Sequence, residues 1–278
     1  MKKVGKREQG VGHIGIFIVI IVLAAAGGIG YFVWKKNHDK PKTAEEAAVQ
    51  TAIKNAKCTT SDKDLCKFFK STSAAKFTSM NSTTTADGKT STMTMQTQGT
   101  DKSHLTMSGE GTTYEVITIG NTTYTKDASG TWWKQTTSTE TSNLSDTATS
   151  NLKTTFQEPT STDTSTPQTT YKKIGTEKCG KLTCIKYQVV DPTAEADTTQ
   201  YLWFDNKDFQ LRRVQYTSAG TTTDATFSYD NVTINVPSPV KDLAANQYIV
   251  PGQSEPVTIP TGADSQELQN LINQSIGQ

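Results

Sequence analysis

Histidine is almost missing from this chain: there are three, of which His13 and His38 sit near the amino terminus and only His104 lies in the body. A hydrolytic pair needs an imidazole beside its nucleophile, and a structural zinc site needs paired Cys and His ligands at short spacing. The sequence also has no glycine-rich phosphate loop and no paired-carboxylate motif. The expectation is a protein that is not an enzyme and holds no cofactor or metal. An excess of charge is missing too. The 28 basic and 27 acidic residues leave a formal +1, so no electrostatic footprint for nucleic acid exists.

Cysteine is scarce, and its spacing is informative. Cys58 lies close to Cys66, and Cys179 to Cys184. The second pair brackets "GKLT" between two strand-like runs, a spacing that lets the two Cβ atoms face each other across a hairpin. Zinc is the rival reading and lacks its histidines. Two disulfides are therefore expected, Cys58 with Cys66 and Cys179 with Cys184. They imply an oxidising, extracytoplasmic compartment.

Long apolar runs are absent with one exception. Ile14 to Val33, "IGIFIVIIVLAAAGGIGYFV", is uncharged and about 20 residues long, enough to span a bilayer as a helix. Lys2, Lys3, Lys6 and Arg7 precede it, and Trp34, Lys35 and Lys36 follow. Basic flanks on both sides leave orientation open on charge alone. A cleaved signal peptide would be cut after "AAA", yet the apolar run continues through Tyr31, Phe32 and Val33. A lipoprotein would need a cysteine at the end of the run. The surviving reading is a signal anchor, and the cysteines fix its direction: the tail cytoplasmic, the body outside the cytoplasm.

What the body has in plenty is threonine and serine. Low-complexity stalks look like this, but threonine is β-branched and suits a half-exposed pleated surface, and interleaved tyrosines and tryptophans favour a folded sheet. "TAEEAAVQTAIKNAK" carries a capping box, Thr43 with Glu46, and an apolar stripe of Ala48, Val49, Ala52, Ile53 and Ala56, which predicts an amphipathic helix. A second short helix is predicted from Asp62 to Lys70, capped by Ser61. From Ala75 the period becomes two, with runs such as "STMTMQTQ", "TTYEVITI" and "TWWKQTT" separated by "ADGK", "GN" and "DASG", the pattern of an antiparallel meander. Weak helical spacing at 142–156 places Leu144, Leu152 and Phe156 on one face. Strands then resume with "TYKKIGTEK", "LTCIKYQVV", a hairpin and "ATFSYDNVTI". The carboxyl end reads as a proline-broken linker and a short helix capped by Asp264 with Glu267.

The hairpin "QYLWFDNKDFQLRRVQYT" poses a packing problem. Tyr201 and Trp203 line one face of its first strand while Leu202 and Phe204 line the other, so both faces are apolar and both must be covered. Of Arg212 and Arg213, one should reach solvent and the other pair with an acid such as Asp205 or Asp208.

The order of elements, with "YLWFDNKDFQLRRVQY", "GNTTYTKDASGTWWK" and "FSYDNVTINVPSPV", resembles the LolA and LppX-like lipoprotein-carrier superfamily over roughly residues 43–240. The resemblance implies an α+β fold, a strongly curved antiparallel β-sheet forming an open half-barrel wrapped around a few helices, here with an added amino-terminal transmembrane helix. The expected organisation is a basic tail at 1–13, a span at 14–34, a linker at 35–42, the body at 43–240, and a linker with a helix at 241–278. The resemblance also implies an apolar cavity between sheet and helices, with Val49, Ile53, Leu202, Trp203 and Phe204 as candidates to line it. Expected partners are the membrane, through Ile14 to Val33, and a lipid or other apolar ligand. The competing reading is a structural or adhesive surface domain with a filled core.

Overall fold

The computed structural model describes residues 60–74, 76–136 and 169–258. Helix α1 spans Lys63–Ala74. Its cap is Asp62, not the expected Ser61: the Asp62 carboxylate accepts from the N–H of Asp64 at 3.0 Å and of Leu65 at 3.1 Å, satisfying two donors of the first turn. The helix runs on to Ala74 where the sequence suggested Lys70. Leu65, Phe68, Phe69 and Thr72 recur at helical spacing and are all buried, so the last turn is held by packing rather than by its Ser and Thr propensities.

The rest is mostly one long, curved sheet. Strands β1 (Ser79–Ala86), β2 (Lys89–Gln98), β3 (Lys102–Gly109), β4 (Thr112–Ile119), β5 (Thr122–Lys126) and β6 (Trp132–Thr136) form one meander. A second meander contains β7 (Thr170–Cys179), β8 (Leu182–Val190), β9 (Thr199–Asp205), β10 (Leu211–Ser218) and β11 (Thr221–Ser228). The two are joined side by side where β1 pairs with β11, antiparallel, with Met80 opposite Phe227. Local turn chemistry makes the meanders possible: Asp87 and Gly88 both have positive φ, 51° and 75°, as a tight hairpin turn requires.

Two features depart from expectation. The sheet is mixed, because β12 (Val240–Asp242) adds to β6 in parallel. The stretch expected to be a linker after residue 240 therefore contributes to the fold, and β13 (Gln247–Tyr248) pairs with β14 (Val257–Thr258) beyond it. The run "ATFSYDNVTI" reads as one strand, but the ladder stops at Ser228. Past Ser228 the chain continues as an extended strap whose Ile234 packs with Ile117 of β4 and Tyr124 of β5, flanked by Ile119, Trp132, Val232 and Val240. Pro237 and Pro239 lack the N–H a ladder needs, so burial of apolar side chains, rather than strand pairing, holds the strap. Gln98 Oε1 accepts from the Ile234 N–H at 2.8 Å and anchors it.

The hairpin of β7 and β8 carries the Cys179–Cys184 disulfide, with the Cα atoms 5.9 Å apart. The two cysteines are diagonal and not directly opposed, since Cys179 faces Leu182 and Cys184 faces Glu177. Cys66 is also in a disulfide; its expected partner Cys58 lies outside the described residues. So do Ile14 to Val33, Val49, Ile53 and the helices expected at 43–57, 142–156 and 265–276. Among the described residues no helix is long and apolar enough to cross a membrane.

Candidate functional site

The two faces of the sheet have different chemistry, and the strand registers show it row by row. On the helix-bearing face, Tyr187, Leu202, Val214, Ala225, Ser82, Met93, Met107 and Tyr114 follow one another across β8, β9, β10, β11, β1, β2, β3 and β4. The neighbouring row on β11 to β4 reads Phe227, Met80, Met95, Leu105 and Val116. Side chains alternate between faces, so these residues share one surface.

That surface divides into an aromatic part and a methionine part. In the aromatic part, Phe68 of α1 stacks on Phe204 with ring centroids 4.7 Å apart, and Tyr187 stacks on the same ring at 5.3 Å. Phe69 meets Tyr171 edge-on at 5.2 Å. The Tyr187 hydroxyl donates to Asp62 at 2.6 Å, which ties the helix amino terminus to β8. Burial pushes the Tyr187 phenol far above its ordinary value, and the neighbouring Asp62 carboxylate adds to this. Burial raises Asp62 too, but the Tyr187 hydroxyl, the N–H groups of Leu65 and Asp64 and the Lys173 ammonium outweigh it, and the carboxyl ends below its usual range.

In the methionine part, Met80, Met93, Met95 and Met107 lie on three adjacent strands. Met95 and Leu105 are each 1% exposed, and the other three methionines are half-buried. Tyr114 closes this part at β4, its hydroxyl bonded to Thr125 and pushed up to about 12 by burial. Unbranched thioether side chains adapt to irregular apolar shapes, so this part can repack more readily than the aromatic part.

The proposed lining residues separate accordingly. Leu202 and Phe204 do face the helix, each 0% exposed, but the chain's own aromatic rings cover Phe204. Trp203 lies on the opposite face and cannot line the same surface. There it sits beneath Arg213, at 4.5 Å, and Lys186, at 4.7 Å, while its Nε1 donates to Glu177. Arg213 is held by Asp224 and Lys186 also lies over Tyr201, so cationic side chains seal this face. Arg212 pairs with Asp208 at 2.5 Å, as one of the two arginines was expected to do; Arg213, 34% exposed, reaches solvent and also pairs with Asp224.

His104 Nε2 donates at 2.9 Å to Glu115, which also accepts from Lys126, on the face away from α1. Among the described residues no group of three or more His, Cys, Asp or Glu could hold a metal ion. The methionine stripe escaped sequence reading, because its members come together only through cross-strand register. "STMTMQTQ" and "SHLTMSG" do show methionine at alternate positions, which was the one available signal.

No protein-family model matches the chain, and no curated protein matches it. Solved structures similar to it include LprF from Mycobacterium bovis, at 13% identity and a TM-score of 0.42, covering 72% of this chain and 100% of that one. The lipoprotein LppX of Mycobacterium tuberculosis matches at 13% identity and 0.35, covering 70% and 100%. MucB in complex with MucA(peri) matches at 11% and 0.33, covering 63% and 57%. At such identities and TM-scores the likeness says nothing of what the sheet holds.

Proposed function

We propose that this protein is a membrane-anchored, extracytoplasmic binding module that holds a lipid or other apolar ligand against the methionine-lined part of its sheet. The carrying observation is the placement of Met80, Met93, Met95 and Met107 on one face, beside Leu105, Val116 and Tyr114. Ile14 to Val33 supplies the anchor and residues 1–13 the cytoplasmic tail; the Cys179–Cys184 disulfide supports an oxidising location for the body. The site binds and releases without making or breaking bonds.

The second reading, a structural surface domain with a filled core, is favoured by the aromatic part, where the chain's own Phe68 and Tyr187 cover Phe204. One experiment separates the two. The body from residue 40 onward, secreted into an oxidising compartment and purified, is extracted with organic solvent and examined by mass spectrometry. The binding reading expects a co-purifying apolar compound that Met93→Trp or Met107→Trp displaces, because the larger ring fills the space. A body that carries nothing and melts at the same temperature before and after extraction leaves the structural reading.

A further inference from the structure

The sheet has two ends, and they differ. At one end β12 is three residues long, follows Pro239 and pairs in parallel with β6, which leaves little edge for another strand. At the other end β7 runs for ten residues and, among the described residues, pairs with β8 alone. The turn at Gly180 and Lys181 makes Cys179 and Leu182 the closing pair of the hairpin, so in the alternation of an antiparallel ladder Thr176 and Lys178 turn their N–H and C=O groups away from β8. Both residues are exposed.

This edge is held in place by the chain itself. The Cys179–Cys184 disulfide crosses the hairpin near its turn; further along β7, Tyr171 packs edge-on against Phe69 and Lys173 reaches Asp64 of α1 at 2.8 Å. A strand edge fixed in advance lowers the ordering cost of adding a partner strand.

Charge decides which strand is admitted. Lys172 and Lys178 are exposed, and among the described residues no acid pairs with either; Lys178 donates to the Thr183 hydroxyl at 3.2 Å. The one acid of β7, Glu177, is engaged on the far face, where it accepts from Trp203 Nε1 and lies 3.8 Å from Lys186. Edge lysines repel a second cationic edge, and the bulge between Lys173 and Gly175 interrupts long, flat pairing. Neither device excludes a short acidic strand, which the same charges attract. Ile174, 49% exposed at the bulge, adds an apolar contact.

We propose that β7 is a docking edge for an extended acidic segment of a partner protein, which adds to the sheet as a further strand, its backbone on Thr176 and Lys178 and its carboxylates beside Lys172 and Lys178. Five strands of the sheet separate β7 from β1, the first strand of the methionine part, so the edge can act whether or not that part holds a ligand.

The test uses the full chain in amphipol and three fluorescein-labelled peptides matched to the length of β7: alternating valine and glutamate, alternating valine and lysine, and the glutamate peptide N-methylated at every residue. Anisotropy should show the glutamate peptide binding at least about tenfold more tightly than the lysine one, the gap narrowing as salt is raised. N-methylation removes the ladder donors, leaves the charge untouched and should abolish binding. The Lys172→Glu/Lys178→Glu double variant should reverse the preference. Thr176→Pro, which removes one outward N–H and no charge, should weaken the glutamate peptide by about tenfold with Tm nearly unchanged. Equal affinity for the two charged peptides overturns the selection of an acidic partner. Binding retained by the N-methylated peptide overturns strand addition, and no binding by any peptide overturns the docking edge itself. A concentration-dependent dimer in sedimentation that Thr176→Pro dissolves assigns the edge to a second copy of this chain instead.

Discussion

The two meanders that meet at β1 and β11 bury their residues by different means. In the β7–β11 half, large rings are stacked on the helix side and Trp203 is capped by Arg213 and Lys186 on the other, so β9 is sealed on both faces by the chain's own side chains. In the β1–β6 half, one face carries flexible methionines and the other threonine, serine and histidine, with the strap from β11 to β12 covering β4 and β5. Stiff aromatic packing specifies a single geometry, whereas thioethers tolerate several. The contrast separates a half with one fixed packing from a half whose packing can adapt.

Substitutions should expose that contrast most strongly in the core. Phe204→Ala removes a ring packed by Phe68, Tyr187 and Phe209 and should cost about 3–5 kcal/mol in denaturant melts. Met93→Leu in the other half should cost less than about 1.5 kcal/mol and change ligand retention instead. Equal losses at the two positions would dissolve the distinction.

Cutting the helix tie comes next. Asp62→Ala removes both the cap and the Tyr187 partner and should lower stability by about 1 kcal/mol or somewhat more. The sign with pH comes from the depressed Asp62 carboxyl: its stabilisation is present above the unfolded value near 4 and is lost as pH falls through the lower folded value. Thermal melts of wild type and variant should therefore differ at neutral pH and converge in acid. Arg213→Ala should cost about 1 kcal/mol through the lost contact with Trp203, with little effect on bound ligand, because it acts on the far face. Smallest of all, Thr94→Ala on the exposed face of β2 should stay within about 0.5 kcal/mol.

Short-range signals carried much of this architecture. "ADGK" and "GN" mark real turns, and the alternation in "TTYEVITI" and "LTCIKYQVV" matches the buried sides of β4 and β8. The two apolar faces at Leu202 and Trp203 were also legible, together with the need to cover both. What covered Trp203 was not, since Arg213 and Lys186 look like ordinary surface cations until the register sets them over the ring. Cap position slipped by one residue because Ser61 and Asp62 are both good caps and only geometry chooses between them. The strap reads as strand, since "NVTI" alternates as strands do, although no neighbouring ladder was available to it.

The seam between the meanders carries a kinetic consequence. Thr78 donates to Ser228 across a separation of 150 residues, and every rung from β1 to β11 has a comparable span. Each meander can zip locally, hairpin by hairpin, whereas joining them closes a loop whose entropic cost is about 4 kcal/mol. Contacts of such long range form slowly. A chain delivered from its amino terminus must therefore hold β1 with one edge open until β11 arrives, and β1 meets that interval dressed in "NSTTTA", a polar, threonine-rich edge poorly suited to joining a stranger.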